Sequence, residues 1–418
     1  MEVVCEFKAQ RKKPVKILLV CRELPSPSDA TSLRVLYALK YLPEKYGHDI
    51  TMVAFQLPGK EYLDLTNYCR IEAVNIPCWP GLTSPKAILY GLRKLFSLPS
   101  ISSWRFSFFN YSYSPEMDKL IKTLLDSNKV DIMIVNHPSM LCYALNKRVP
   151  TVLLESFALS EIALTEYKME RNWLKKIIRL LYYYQTRNYA KVYEVVNLLI
   201  AVSTRQRDRI RSHCPNVDIA VIPGGADTDY LKTMEPETKF PSLAITGTMS
   251  GTRNKTAILY FYNEVYPLIK ERIPRVKLYI VGSNPEKEIL RLSADKSVTV
   301  TGYVKDLRPY LSRAWVVVAP LQEDFGVKIR VLQAMAVGKP VVSTSMGATG
   351  ISVSPGENII LADEPGEFAD RVIELLNDKQ LRQKIGAKAR LLMETEHSWE
   401  NLTDKLNVLL EKVAKGNC

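Results

Sequence analysis

The sequence is poor in the residues that build metal centres and disulfide frameworks. Its 418 residues include only four histidines and seven cysteines. The histidines show no HxxxH spacing, and the cysteines are odd in number and show no CxxC spacing. These absences argue against an imidazole-based metal site, a zinc ribbon and a disulfide framework, and they predict free thiols in a reducing compartment. We therefore expect no metal in the functional site and a cytoplasmic location.

Long apolar runs are also missing. The longest, such as Val196–Val202 and Trp315–Leu321, fall well short of the roughly 20 residues that a membrane-spanning helix needs. Residues 1–16 are polar and basic and lead into no apolar signal-peptide core, so no signal peptide is expected. Hydrophobic residues make up 47% and charged residues 24% of the chain, which is typical of a globular protein. The length predicts two or three domains.

Acidic residues are outnumbered, since 57 lysines and arginines face 44 aspartates and glutamates and leave a net charge of +13. Such a surplus attracts phosphate, either in a nucleotide diphosphate, an anionic lipid or a nucleic acid. Nucleic acid is disfavoured because the chain carries no motif that reads RNA or DNA. Two stretches mix basic and aromatic residues, 73–115, which lacks any acidic residue, and Trp173–Tyr184. Each predicts either a peripheral attachment to an anionic membrane or an ordinary helix with solvated lysines.

Short apolar runs alternate with helical stretches along the chain, which is the pattern of parallel sheets covered on both faces. The pattern occurs twice, and the turn-rich segment 223–241 between the two occurrences predicts a hinge. The predicted strands are Lys16–Cys21, Ile50–Phe55, Asp131–Val135, Thr151–Leu154 and Leu198–Val202, followed by Ser242–Thr246, Val276–Val281, Ser297–Thr301, Trp315–Ala319 and Pro340–Ser343. Helices are expected around residues 33–42, 257–272, 330–337 and 399–413.

The most informative stretch is residues 320–342. A strand ends there, a loop with Gly326 follows, and a helix is expected to begin near Val327. This arrangement leaves unpaired backbone N–H groups and the positive end of a helix dipole at the loop, which suits a phosphate. Lys328 and Arg330 stand in the first helical turn, where cations oppose the dipole, so an anion is expected beside them. The alternative is an ordinary strand–helix turn with solvated basic residues.

This stretch resembles the donor-site block of retaining, nucleotide-sugar-dependent glycosyltransferases of the family-4-like group. The resemblance continues, in the family's order, through residues 222–231, 247–251, 280–285, 300–306, 343–350 and 397–399. It implies the α/β GT-B fold, with two Rossmann-like, doubly wound domains that face each other across a cleft. The implied domains are residues 1–222 on the acceptor side and 242–397 on the nucleotide-sugar side. The C-terminal helix, within 398–418, is implied to cross back and complete the first domain.

The resemblance also implies the activity. A sugar would move from a UDP or GDP sugar to a hydroxyl of a glycan or lipid-linked saccharide, with retention of configuration and without a metal or cofactor. The leaving phosphate would accept the proton of the acceptor hydroxyl.

Donor-binding roles in the second domain follow from the same resemblance. The loop that starts with Gly247 and Thr248 would approach the diphosphate, with Arg253 and Lys255 as nearby cations. Lys328 and Arg330 would face the phosphates and, together with His137, be the catalytic residues. The loop residues Glu323, Asp324, Phe325, Gly326 and Val327 and the helix residue Gln333 would complete the donor site.

The chain departs from the family pattern at two of these positions. Gln333 stands where the family has a glutamate that binds the donor ribose, and Phe325 stands where the family has a second acid. Glu323 and Asp324 are candidate replacements after a shift of the loop. The departure keeps two alternatives open: a non-catalytic nucleotide- or glycan-binding protein, and a GT-B enzyme of another reaction type, such as a nucleotide-sugar epimerase or a phosphorylase.

Three residues of the first domain are candidates for the acceptor side and for catalysis. His137 follows a predicted strand and resembles the family's histidine that faces the transferred sugar. Arg34 follows the first loop, and Glu155 ends the fourth predicted strand. The alternative roles are structural, since a lone histidine is often a hydrogen-bonding residue and a glutamate after a strand can cap a helix.

Overall fold

A computed structural model describes residues 14–25, 30–56, 62–75, 113–127, 129–145, 149–155, 163–164, 167–168, 170, 172–322 and 328–416. The chain forms two compact units. One unit is Met1–Ile222 together with Thr403–Cys418, and the other is Pro223–Leu402. Residues 223–241 therefore group with the second unit.

The first unit is built on a parallel sheet of seven strands. Its order is β3-β2-β1-β4-β5-β6-β7, so the chain turns back at β1 and continues on the other side with β4. Residue Leu18 of β1 is aligned with Thr51 of β2 and with Met133 of β4. The strands are β1 Lys16–Cys21, β2 Asp49–Gln56, β3 Arg70–Asn75, β4 Ile132–Asn136, β5 Thr151–Leu154, β6 Leu198–Ala201 and β7 Ile219–Val221.

The sheet of the first unit is buried on both faces because its strands are apolar at successive positions. In β1, Leu18 and Val20 join a cluster with Met117 and Ile121 of the helix Pro115–Asp126, while their neighbours on the opposite face are buried as well. The helices are α1 Ala30–Tyr46, α2 Pro115–Asp126, α3 Trp173–Tyr189 and α4 Thr204–His213, with 3₁₀ turns at Pro138–Tyr143 and Ala190–Val195.

The second unit repeats the plan with six parallel strands. Its order is β10-β9-β8-β11-β12-β13, so the reversal again adjoins the unit's first strand. Residue Leu243 of β8 is aligned with Val316 of β11 and with Leu278 of β9. The strands are β8 Ser242–Thr246, β9 Lys277–Val281, β10 Val298–Val300, β11 Val316–Ala319, β12 Val341–Ser343 and β13 Ile360–Leu361.

Two hydrophobic clusters cover the two faces of the second sheet. Leu243 and Val316 belong to one cluster, and their strand neighbours Ala244 and Val317 belong to the other. The helices are α5 Thr252–Tyr260, α6 Tyr266–Arg272, α7 Lys287–Leu290, α8 Arg308–Arg313, α9 Ile329–Ala336, α10 Ser345–Ala348, α11 Pro365–Asn377 and α12 Lys379–Glu396. A π-helical turn, Phe261–Val265, joins α5 to α6.

The last helix, α13 Trp399–Ala414, begins in the second unit and ends in the first. Its C-terminal part is fixed to the first unit by polar contacts. Asn407 Oδ1 lies 2.6 Å from Nε2 of the buried His48, and Lys45 Nζ donates to Asp404 over 2.7 Å. His48 Nδ1 accepts the N–H of Val15 over 3.2 Å, so the proton of its ring lies on Nε2 and is donated to Asn407.

The predicted α/β architecture with two doubly wound parallel sheets is confirmed. The sequence pattern misses the strands β3, β7 and β13, and it misplaces a helix start, since the helix expected near Val327 begins at Ile329. The stretch expected as one helix over residues 257–272 contains the π-helical turn.

None of the described helices combines the length and apolar character that crossing a bilayer requires. Residues 76–112 of the predicted basic stretch lie outside the described residues.

Candidate functional site

Both sheets offer a binding position at the carboxyl ends of the strands where the strand order reverses. Ligands of doubly wound sheets bind at such reversal points because the loops on either side diverge and leave a crevice. In the second unit, Gly247 follows β8 and Arg330 follows β11, the two strands that flank the reversal. In the first unit, His137 follows β4 directly, and Glu155 follows the neighbouring β5.

The edge of the second unit brings Gly247 and Arg330 together. A Cβ atom added at Gly247 would lie 2.9 Å from Cζ and from Nη2 of Arg330, and the φ of Gly247 is +127°. The N–H of Gly247 donates to the carbonyl oxygen of Val281 over 3.0 Å. A Cβ atom added at Gly282 would lie 1.9 Å from the carbonyl oxygen of Gly247. Only glycine at both positions allows this approach of two backbones and a guanidinium.

Arg330 is held in place by a neutral partner. Its Nη2 donates to Oδ1 of Asn254 over 2.6 Å, and no carboxylate among the described residues forms an ion pair with it. Burial lowers the pKa of Arg330 to about 10, so the guanidinium is charged at neutral pH. A partly buried cation held by an amide is available to an anion, because its charge is not already neutralised.

Two helices begin beside this contact, and the first N–H groups of each have no partner within the helix. At the start of α5, however, Oε1 of Glu286 accepts the N–H of Gly251 over 3.0 Å. The residue before α5 is Gly251 and the residue before α9 is Lys328, and neither provides a side-chain cap. In contrast, the carboxylate of Asp378 accepts the N–H of Leu381 at the start of α12 over 2.8 Å. The first N–H groups of a helix carry the positive end of its dipole, so these two starts suit a phosphate.

The other predicted donor residues differ in what the structure shows. Lys328 is buried, Gln333 is partly buried within α9, and Thr248 is exposed. Lys255 is paired with acidic residues, because its Nζ lies 2.7 Å from Glu286 Oε2 and 3.5 Å from an oxygen of Glu288. The hydrogen bond to Glu286 raises the pKa of Lys255, and its charge is largely compensated. The side chain of Arg253 and the loop residues Glu323, Asp324, Phe325, Gly326 and Val327 lie outside the described residues.

His137 occupies a strained backbone position at the edge of the first unit. Its φ of +92° lies in the region that side-chain-bearing residues rarely adopt. Its Nδ1 accepts the backbone N–H of Ser139 over 3.1 Å and lies 2.8 Å from the Ser139 hydroxyl. Because Nδ1 accepts a backbone N–H, the ring proton of the neutral imidazole lies on Nε2. His137 is therefore arranged as a hydrogen-bond donor, and strain of this kind concentrates at functional positions.

Arg34 and Glu155 are both buried in the first unit. Arg34 Nη2 donates to the carbonyl oxygen of Ile222 over 2.9 Å, and its Nη1 is buried without a hydrogen-bond partner among the described residues. Glu155 accepts the hydroxyl of Tyr193 over 2.8 Å. Burial lowers the pKa of Arg34 to about 10, and the charge of Glu155 acts against that fall. The charge of Glu155 thus acts on Arg34, the other residue that the sequence predicted for the acceptor side.

Several residues of these sites escape sequence reasoning. Ser139 and Tyr193 orient His137 and Glu155, and Asn254 orients Arg330. The spacing of two residues between His137 and Ser139 is the one local signal, since a side chain often accepts an N–H two residues further along. The described residues contain no group of three or more histidines, cysteines, aspartates or glutamates placed to hold a metal ion.

Comparison with known proteins agrees with this architecture. Residues 32–230 match the family model of Glycosyltransferase Family 4, and residues 241–378 match the model of Glycosyl transferases group 1. A curated relative is the GDP-mannose-dependent monoacylated alpha-(1-6)-phosphatidylinositol monomannoside mannosyltransferase of Corynebacterium glutamicum. The chain is 24% identical to it over 214 residues, which cover 46% of this chain and 55% of the relative. The matches span between about a fifth and about half of the length of the curated relatives.

Solved structures share the fold over nearly the whole chain. Sucrose-phosphate synthase from Thermosynechococcus elongatus superposes with a TM-score of 0.68 at 16% identity, covering 96% of this chain and 100% of that chain. Anabaena HepE in complex with UDP-glucose superposes with a TM-score of 0.62 at 16% identity, covering 95% and 99% of the two chains. The two matching family models and the shared architecture show that this chain belongs to the glycosyltransferases with the GT-B fold.

Proposed function

We propose that the protein transfers a sugar from a nucleoside-diphosphate sugar to a hydroxyl group of a glycan or lipid-linked acceptor. The observation that carries the proposal is the contact between Arg330 and Gly247 at the strand reversal of the second unit. A charged guanidinium, a glycine backbone and two helix starts whose preceding residues give no side-chain cap form a combination that suits a diphosphate. The relative from Corynebacterium glutamicum is named for GDP-mannose, and HepE was solved with UDP-glucose, which supports a GDP or UDP sugar as the donor.

In the proposed reaction, the second unit stabilises the nucleoside diphosphate as the leaving group. When the bond between the sugar and the diphosphate breaks, negative charge develops on the departing phosphate. Arg330, Lys328 and the amides at the starts of α5 and α9 would stabilise this charge from fixed positions, which is the arrangement that lowers such a barrier. These groups would act without a divalent metal. We propose retention of configuration, with the acceptor proton passing to the leaving phosphate.

The first unit is proposed to bind the acceptor. The Nε2–H of His137 would donate a hydrogen bond to a sugar oxygen, because its Nδ1 is engaged by Ser139. Arg34 and Glu155 would fix the shape of the acceptor-binding region through their contacts with Ile222 and Tyr193. The name of the phosphatidylinositol mannoside mannosyltransferase supports a lipid-linked acceptor among the classes to be tested.

A donor screen tests the proposal. The full chain is incubated with UDP, GDP and ADP sugars, and thermal unfolding is recorded for each, since a ligand that binds the native state raises the melting temperature. Released nucleoside diphosphate is then measured with candidate acceptors present. We expect at least one donor to stabilise the protein and to release its diphosphate. Stabilisation without release for every acceptor would favour the non-catalytic alternative, and no stabilisation by any donor would contradict the proposal.

Arg330→Gln sharpens the test because the amide can still bond to Asn254 while the charge is lost. Removing a charged hydrogen bond from a partly buried site typically weakens binding by roughly 10- to 100-fold. The matched control is Lys255→Gln, which removes a cation of the neighbouring helix α5 whose charge Glu286 and Glu288 already compensate. We expect the Arg330 variant to lose donor stabilisation and the Lys255 variant to keep it. Equal losses in both variants would show that only the general positive charge matters.

A further inference from the structure

Helix α3 exposes an apolar ridge, which we define as Trp173, Ile177, Leu180 and Tyr184. The spacing of four, three and four residues puts these side chains on one side of the helix. Trp173 is 68% exposed, Ile177 is 49% exposed and Tyr184 is 51% exposed, and Leu180 is partly exposed. The ridge is therefore accessible to solvent from Trp173 to Tyr184.

A surface helix normally turns such a ridge towards the core. In α11, for example, Phe368, Val372 and Leu376 lie on one side of the helix at intervals of four residues and are all buried. On α3 the equivalent positions are solvent-exposed, and Ile178 beside the ridge is 66% exposed as well. A run of large exposed apolar side chains on one helix marks an interaction surface rather than scattered surface residues.

The charge of the same helix indicates which partner fits the ridge. Residues 173–189 contain Lys175, Lys176, Arg179 and Arg187 and no acidic residue. Lys175 is exposed, and Lys176 Nζ lies 5.3 Å from the centre of the Tyr167 ring. The one acidic contact described on this helix joins Arg179 to Glu170, outside the helix. A positive helix in a chain of net charge +13 is complementary to an anionic surface.

The aromatic residues of the ridge point to a lipid bilayer. Trp173 and Tyr184 stand at its two ends, about 16 Å apart at 1.5 Å per residue. Tryptophan and tyrosine favour the boundary between acyl chains and headgroups, where the ring is buried and its polar atom stays hydrated. Isoleucine and leucine between them supply the apolar surface that enters the boundary, and lysines reach the phosphates of the lipids.

We propose that α3 lies in the plane of an anionic membrane surface, with the ridge in the interfacial layer and Lys175 near the lipid phosphates. The proposal does not depend on the identity of the sugar donor, because it rests on helix α3 of the first unit and not on the donor-binding residues of the second unit. It goes beyond the proposed transfer reaction by giving the protein a location at which a lipid-linked acceptor would be present.

Sedimentation with lipid vesicles tests the proposal on the full chain. Vesicles of phosphatidylcholine with about 30% phosphatidylglycerol are compared with vesicles of phosphatidylcholine alone. We expect binding to the anionic vesicles, weaker binding at high salt and little binding to the neutral vesicles. Lys175→Gln should weaken binding by about fivefold, since each interfacial lysine contributes about 1 kcal/mol.

The decisive variant is the triple substitution Trp173→Ser, Ile177→Ser and Tyr184→Ser. Its matched control replaces three exposed apolar side chains elsewhere, in Leu290→Ser, Leu391→Ser and Val408→Ser, which are 49%, 58% and 49% exposed. We expect the ridge variant to bind anionic vesicles about tenfold more weakly or worse and the control to bind as the wild type does. Melting curves of both variants verify that each is folded.

Three results would overturn the proposal. The first is equal binding by the ridge variant and its control. The second is an absence of binding by the wild-type chain to anionic vesicles. The third is a wild-type oligomer, detected by light scattering, that the ridge variant alone abolishes while vesicle binding stays unchanged, because the ridge would then be an interface between two copies of the chain.

Discussion

The two units share a strand order at their reversal points but present different chemistry there. In the second unit, the carboxyl edge is lined by backbone at Gly247 and Gly282, with the guanidinium of Arg330 against it. In the first unit, side chains occupy the edge, among them His137 and the buried Glu155. The same topology therefore supports one edge made of amides and a cation and another made of side-chain donors and acceptors.

The difference fits the ligands that we propose for each edge. A diphosphate is satisfied by several N–H groups and a permanent cation, and glycines let the backbone approach it closely. A sugar hydroxyl both donates and accepts, so it is recognised by side chains with oriented hydrogen bonds, such as the imidazole of His137. We infer that the second unit is specialised for the donor and the first unit for the acceptor.

The largest effect is expected from Gly282→Ala. Its new Cβ would lie 1.9 Å from the carbonyl oxygen of Gly247, and backbone cannot yield as a flexible side chain can. We expect the second unit to lose on the order of 3 kcal/mol of stability, with a fall in melting temperature of roughly 6–12 °C. The control is Gly366→Ala, where the added Cβ would meet no atom within 4 Å. If the two variants have the same melting temperature, the close approach of the loops that follow β8 and β9 is not required for stability.

A smaller effect on stability but a clear effect on activity is expected from His137→Gly. Glycine adopts the φ of +92° without strain, whereas for a residue with a side chain this conformation costs about 1–3 kcal/mol of folding free energy. We expect the melting temperature to stay level or rise, and transfer to slow by at least about tenfold, with donor stabilisation unchanged. A slower reaction with a lower melting temperature would make His137 a structural residue. Unchanged transfer would remove it from the acceptor side.

The smallest effect is a pH dependence of nucleotide binding. The pKa of Arg330 is lowered by burial to about 10, and a bound phosphate favours the charged guanidinium and raises that pKa. Binding is therefore expected to be independent of this group well below pH 10 and to weaken as the pH rises through about 10. Calorimetric titration with UDP or GDP at several pH values measures this dependence, and Arg330→Gln should remove the loss of affinity near pH 10. If the affinity of the wild type and of the Arg330→Gln variant falls equally as the pH rises, the titrating group is not Arg330.

The sheets were largely predictable because their strands are buried on both faces. Lys16–Cys21, Thr151–Leu154 and Ser242–Thr246 are continuous apolar or nearly apolar runs, and the structure gives them the predicted bounds. Strand β3 was missed because its sequence, RIEAVN, contains charged residues and has no continuous apolar run. Only one of its six residues is buried. Strand β13 has only two residues, too few to leave a pattern.

The residues of the candidate site were predictable singly, but their contacts were not. Gly247 and Arg330 meet because β8 pairs with β11, with Leu243 opposite Val316, and no local pattern specifies that register. The same holds for Lys255, whose charge and position after a glycine loop suggested a phosphate ligand. Its pairing with Glu286 depends on the neighbouring β9 loop, which lies far away in sequence.

Amide hydrogen exchange of the full chain, with and without a saturating nucleoside diphosphate, tests the contrast between the two edges most directly. A bound diphosphate would accept N–H groups in the first turns of α5 and α9 and slow their exchange. We predict protection in residues 247–254 and 328–331 and unchanged exchange in residues 136–143 and 30–36. Protection confined to the first unit, or none in either segment of the second, would contradict the account.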